Sequence, residues 1–323
     1  MDKYFYTSII NIDNIEFFTC LGIVTAMSIE EYEQSFTCDN CGYGTRLLDE
    51  LSAAFEETCA WGEACLQCGS RFFIQDLGKG VELRLIEIPG DTFTMGAPPN
   101  EVGRTNRENP QHQVTVSSFF MGKYQVTQAQ YEAVMGINPS HFIGANHPVE
   151  QVSWYSAMKF CKQLSQKSGL TYRLPSEGEW EYACRALTTT PFHFGESITT
   201  NLANYRGEKT GASKGQYRQQ TTPVGTFPAN AFGLYDMHGN VWEWCEDVWH
   251  TDYQGAPTDG SAWLNGGDDN NRVLRGGSWF DLAEFCRCAS REYSDPDPEI
   301  HDYVMGFRVV LVPGDYISAV HDK

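Results

Sequence analysis

Between Arg275 and Val312 the chain reads as two fixed ends around a patternless middle. The first end, RGGSW (Arg275–Trp279), sets two glycines for tight backbone geometry beside a tryptophan to bury. The second, MGFRVVLV (Met305–Val312), reads as a buried final strand. The residues between follow neither the helical nor the strand period. Phe280, Asp281, Leu282, Phe285, Ser290, Glu292, Tyr293, Ser294, Asp295, His301, Asp302 and Tyr303 mix aromatics, acids and small polar groups. That texture is one of a ligand-binding surface on a rigid frame, where Tyr and Phe give contact area at low entropic cost. Cys286, Arg287, Ala289, Arg291 and Pro296 interrupt it as anchors. An ordinary surface loop with inward anchors is the competing reading.

With 323 residues there is room for one large or two unequal domains and a sizeable core. The formal charge is −19. Such a surface repels phosphate backbones and anionic membranes, which argues against nucleic-acid binding and suits divalent cations. No apolar run approaches the length of a membrane span, and the N-terminus lacks the basic start of a signal peptide. Scattered cysteines with two Cys-x-x-Cys pairs point to a reducing compartment, so a cytoplasmic location is expected.

Cys38-x-x-Cys41-Gly and Cys65-x-x-Cys68-Gly each form a knuckle that aims two thiolates at one point. Together they predict a closed four-sulfur zinc site in an N-terminal zinc-ribbon region, residues 1–80. A redox dithiol is the alternative. A site with all positions filled by thiolates leaves none open for catalysis.

The texture changes from Val81. Residues 81–88 and 113–120 alternate as strands. Three helices carry start signals: a Thr127/Gln130 capping box with Gly136 as the stop, Ser153 ahead of Trp154–Lys167 with Gly169 after it, and a Ser176/Glu179 box before Trp180. Residues 186–232 are rich in Thr, Gly, Asn and Gln and read as long loops. In a compact domain such loops signal function or bound ions.

The ordered series IPG (Ile88–Gly90), FTMG (Phe93–Gly96), PVEQVSW (Pro148–Trp154), YRLPSEGEWEY (Tyr172–Tyr182), FGLYDMHGNVWEW (Phe232–Trp244), RGGSW and GFR (Gly306–Arg308) resembles the formylglycine-generating-enzyme, or sulfatase-modifying-factor, family. The resemblance implies an α+β, C-type-lectin-like fold, loop-rich and with bound calcium, over residues 81–323. It implies a calcium site made by the side chains of Asp236 and Glu243 and the carbonyls of Gly239 and Val241, hard oxygens suited to that ion. A core pairing of Glu243 with an arginine is the competing reading. A second such site would use Asn204 and the carbonyl of Tyr205.

Catalysis in the family requires two thiolates that bind Cu(I) and activate oxygen. Cys288 matches the second. Five positions earlier stands Ala283, which cannot ligate, and Cys286 reads as a buried anchor. The histidines form no i, i+4 metal pair. On these residues the chain is expected to be a binding protein rather than an enzyme. The alternation of framework and unpatterned positions in 275–312 resembles the variable proteins of diversity-generating retroelements, which implies a diversified face for an unknown protein ligand. The expected metals are structural zinc and calcium. The alternative is a copper-dependent formylglycine-generating oxidase acting on a protein cysteine through Cys288.

Overall fold

The computed structural model describes residues 71–207, 215–296 and 302–312, with the backbone of five short strands nearer the N-terminus. Those strands are β1 (Ile10–Ile12), β2 (Ile15–Phe17), β3 (Glu33–Thr37), β4 (Gly44–Leu48) and β5 (Glu63–Ala64). β1–β2 and β3–β4 are separate antiparallel hairpins. They fall in a unit of residues 1–38 and 42–60, and the rest of the chain forms a second unit.

The second unit is built on a six-stranded sheet. Its members are β6 (Arg71–Asp76), β7 (Glu82–Ile88), β10 (Phe119–Gly122), β11 (Tyr172–Arg173) and β16 (Val310–Leu311), with β5 at one edge, in the order β11-β16-β10-β7-β6-β5. Successive residues of β10 face opposite ways. Phe119 and Met121 enter one apolar cluster, Phe120 the other. Val309 and Val310 divide in the same manner. The sheet therefore lies inside the unit with both faces covered, which explains why these strands read as unbroken apolar runs.

One face carries α1 (Gln128–Met135) and α2 (Trp154–Ser168). The other carries α3 (Glu177–Arg185) and a second sheet, β14 (Arg291–Ser294), β13 (Asp268–Arg275), β12 (Trp242–Trp249) and β15 (Met305–Gly306), in that order. β8 (Asp91–Met95) and β9 (His112–Val116) form a hairpin. All three helices start on the predicted caps, and Gly136 and Gly169 end α1 and α2 in left-handed geometry. α3 ends instead on Ala186, also left-handed.

Three sequence expectations change. The final strand divides into β15 and β16, in different sheets, because Arg308 between them is fully buried and turns to the Glu243 carboxylate. The zinc-ribbon cysteines, Cys38, Cys41, Cys65 and Cys68, lie outside the described residues. Around them, β3–β4 is its own two-stranded sheet while β5 belongs to the six-stranded one, so a shared zinc-ribbon sheet is absent among the described strands. What the strands define is an α+β, loop-rich fold, with no C-type-lectin topology evident among them.

Buried ion pairs fasten α3 to the second sheet. Glu181 accepts from Arg185 and from the Gly96 amide, and pairs with Arg275. Glu177 takes Arg291 at 2.6 Å and Arg275 at 3.4 Å. Arg275 and Arg291 are directly opposed on β13 and β14, an arrangement that repels unless an anion sits between them. Burial raises the Glu181 pKa, but the charges of Arg185 and Arg275 outweigh it and hold the carboxyl below its ordinary value. Its contribution is present above the unfolded carboxylate pKa and is lost as pH falls through the lower folded value. Glu181→Gln removes one member of a buried pair and should cost roughly 3–5 kcal/mol in chemical denaturation at neutral pH. The deficit should shrink on acidification, and a variant as stable as the native protein would refute the assignment.

Candidate metal centre

Cys184, His238 and Cys288 come from three distant segments, and their donor atoms lie within 4.8 Å of one another. Cys184 is one turn beyond Trp180 on α3, a helix buried along its whole length. His238 is held in a turn where Asp236, Gly239 and Asn240 all take positive φ. Gly239 is obligatory there, since a Cβ would stand 2.3 Å from the Asn204 carbonyl oxygen. Cys288 follows the 3-10 turn Ala283–Cys286, which packs under Gly277. A Cβ on Gly277 would meet Cys286 Sγ at 2.6 Å.

The sulfurs are 3.6 Å apart, with the Cys184 thiol donating to Cys288. Cys184 Sγ lies 3.9 Å from His238 Nδ1 and 4.0 Å from Nε2. His238 Nδ1 donates to the Cys286 carbonyl at 2.7 Å, and Nε2 accepts the His193 amide at 3.2 Å. This pattern assigns the proton to Nδ1. Burial, with a lesser push from Arg185, drops the His238 pKa to about 4, so the ring is neutral at physiological pH. Burial raises both thiols. For Cys288 the hydrogen bond from Cys184 and the charge of Arg185 reverse the outcome and bring it below its ordinary value. Cys184, beside that sulfur, stays well above. Of the two sulfurs, Cys288 is therefore the readier to lose its proton, beside the positive charge of Arg185.

Both sulfurs are shut from solvent. The loop after α3 runs beside Cys288. Ala186 and Leu187 take consecutive left-handed conformations, strained for residues with a side chain, and Leu187 is exposed. Pro191 then accepts the Cys288 amide at 2.7 Å. Two thiols and an imidazole are soft and borderline donors. They suit Cu(I), and do not suit calcium, which takes hard oxygens.

The expected calcium site is filled by a side chain. Gln125 Nε2 lies 3.0 Å from the Val241 carbonyl, 3.2 Å from that of Gly239, 3.3 Å from that of Asp236 and 3.0 Å from Glu243 Oε1. The Glu243 carboxylate is also bound by Arg308 and by Trp180 Nε1 at 2.7 Å. The Asp236 carboxylate turns away to the Gly225 amide, and burial raises its pKa to about 6. The amide has taken the cation's place, and the arginine pairing of Glu243 is the correct reading.

The residues assigned to the binding face fall into separate groups. Phe280 and Tyr303 are exposed beside Trp279, and Asp302 caps the Val304 amide nearby. Tyr293 is exposed in β14 and packs on Trp249, while its neighbour Glu292 pairs with Arg107. Asp281 accepts from Ser278, Phe285 packs on the core and Ser290 is buried. Leu282 and Ser294 are half-buried, and Asp295 is exposed. His301 lies outside the described residues.

Two of the three centre residues escaped the sequence reading. Near Cys288 in the sequence stand Ala283, which cannot ligate, and Cys286, which is a buried anchor. Cys184 sits among buried residues of a helix, where nothing in the sequence separates a ligand from packing. His238 has no ligand near it in sequence. The usable signal was position: His238 lies within the family-like series FGLYDMHGNVWEW, and Cys184 stands two residues beyond the end of YRLPSEGEWEY.

A model of the sulfatase-modifying factor enzyme 1-like domain matches residues 79–312, and the chain belongs to that family. It is 29% identical to the formylglycine-generating enzyme of Mus musculus, over 70% of this chain and 74% of that one. Among solved structures it is similar to PvdO from Pseudomonas aeruginosa, at 34% identity and a TM-score of 0.65, covering 74% of this chain and 97% of PvdO. Treponema denticola variable protein 1 is similar at 28% identity and a TM-score of 0.63, covering 75% and 99%. The expectation of a non-catalytic, diversified binding protein rested on the missing second thiol. Cys184 supplies that thiol from another element, which overturns the expectation, and with it the assignment of zinc and calcium as the metals. No helix among the described residues is long and apolar enough to cross a membrane.

Cys288→Ser should abolish stoichiometric Cu(I) binding in competition with a chromogenic chelator, and Cys184→Ser should weaken it severely. Cys161→Ala, a core cysteine remote in sequence, should leave binding intact. A calcium-selective chelator should leave the melting temperature unmoved, because the oxygens around Gln125 already have their partner.

Proposed function

We propose that the chain is a copper-dependent oxidase that converts a cysteine side chain of a polypeptide to an aldehyde, the formylglycine-forming reaction. The observation that carries the reading is the pair of touching, water-excluded sulfurs of Cys184 and Cys288 beside the neutral imidazole of His238. Copper, when bound, would supply the one-electron chemistry by which dioxygen is activated. Every other requirement falls on the chain. Cys288 offers a sulfur whose ionisation is favoured by the hydrogen bond from Cys184 and by the charge of Arg185. His238 is held in one tautomer by the Cys286 carbonyl, as ligating histidines are oriented by an outer partner. The reaction balances with one oxygen atom of dioxygen going to the aldehyde and the other to water. Two electrons and two protons come from an external thiol reductant, and the substrate sulfur leaves as hydrogen sulfide.

Substrate must displace the loop beside Cys288. The left-handed Ala186 and Leu187 mark where that loop is under tension. The exposed aromatics Phe280 and Tyr303 are assigned here as a surface on which the polypeptide lies. They adjoin Trp279, Phe142 and His141 in an aromatic patch.

The test is conversion of cysteine peptides by copper-loaded protein with dioxygen and a thiol reductant, read by mass spectrometry and aldehyde capture. Cys288→Ser should abolish it. Phe280→Ala and Tyr303→Ala should raise KM, each costing ~1–3 kcal/mol of binding, with kcat little changed. Stoichiometric copper without conversion of any cysteine peptide would refute the reading.

A further inference from the structure

His193 has no role in the account so far, and its environment is unusual. Among the described residues it is the one histidine whose two ring nitrogens are both buried without a hydrogen-bond partner. An imidazole always has a polar nitrogen to satisfy, and leaving both dry is unfavourable with nothing here to offset it. His147, His238 and His250 each have a ring nitrogen hydrogen-bonded.

The backbone presents this ring deliberately. Phe192 and Gly195 exchange hydrogen bonds across a tight turn, with His193 and Phe194 at its tip. The amide of His193 donates to His238 Nε2, and the carbonyl of Pro191 accepts from the Cys288 amide. One short loop is therefore tied to two of the three centre residues. The two imidazoles are stacked, with centroids 4.8 Å apart and planes 20° from parallel. The space beside them, walled by His193, His238, Asp236, Leu202 and Met237, is too narrow for a water molecule, so no solvent there satisfies the His193 nitrogens.

We propose that His193 is a fourth donor of the Cys184–His238–Cys288 centre, its ring turning to give a two-sulfur, two-nitrogen set when metal binds. This inference rests on the metal-binding reading of that centre. The missing partners of His193 are then those it finds in the loaded state. Two thiolates and two imidazoles also form a donor set that cobalt(II) accepts as a tetrahedral reporter.

The experiment uses the whole protein and reads metal rather than turnover. His193→Ala should weaken Cu(I) at least tenfold in chelator competition. It should also shift the visible absorption of the cobalt(II) form, as expected on loss of a nitrogen donor. His193→Phe, which keeps the stack on His238, should do the same. Without metal, both variants should melt at or above the native temperature, because unsatisfied nitrogens have been removed. A histidine serving only the fold would lower that temperature and leave affinity and spectrum alone, and that result overturns the proposal. Native affinity and an unchanged cobalt spectrum in both variants would overturn it while the three-residue centre stands. Failure of the native protein to bind Cu(I) or cobalt(II) would overturn the centre and the proposal together.

Discussion

Carboxylates buried on α3 are the constraint on which the second unit depends. Glu177 and Glu181 lie one turn apart on the helix, and each is shared by two arginines. Isolated, either charge would be intolerable in the interior. Together they fix the helix against β13 and β14, and so fix where the end of α3 can be. That end is Cys184. The register of the sulfur pair is therefore set by the ion pairs of the helix that carries Cys184, and Arg185 serves both functions. It pairs with Glu181 and lends its charge to Cys288.

The same logic recurs along the C-terminal stretch. Arg287 enters between Glu101 and Glu108, Arg291 reaches Glu177, and Arg308 reaches Glu243. Buried pairs of this kind add little net stability over apolar packing, but a mispaired register would strand a charge. A chain with long irregular loops gains specificity from that penalty. It allows residues between the anchors, such as Phe280 and Tyr293, to stand exposed without loosening the frame.

Local elements were legible where the signal was local. The capping boxes at Thr127 and Ser176 and the Ser153 cap located the helices, because a cap is a short-range hydrogen bond between residues named in the sequence. The family series revealed the family for the same reason. The centre was harder. Its three donors are brought together by tertiary contacts alone, and a cysteine at a helical core position has no mark that separates a ligand from packing. The resemblance misled twice. It pointed from Cys288 to Ala283, nearby in the chain, and it implied a cation among oxygens that the distant Gln125 amide faces. The divided final strand was invisible because nothing in GFRVV says that its arginine goes inward.

Gln125 at the hub of four oxygens has a consequence for where such a protein could work. An ion leaves when its reservoir is depleted, whereas a side chain is anchored to its own backbone and cannot be diluted away. The turn that carries His238 is braced by that amide through the carbonyls of Asp236, Gly239 and Val241. Its shape is thereby uncoupled from the ionic composition of the surroundings. The histidine keeps its aim whether calcium is scarce or abundant.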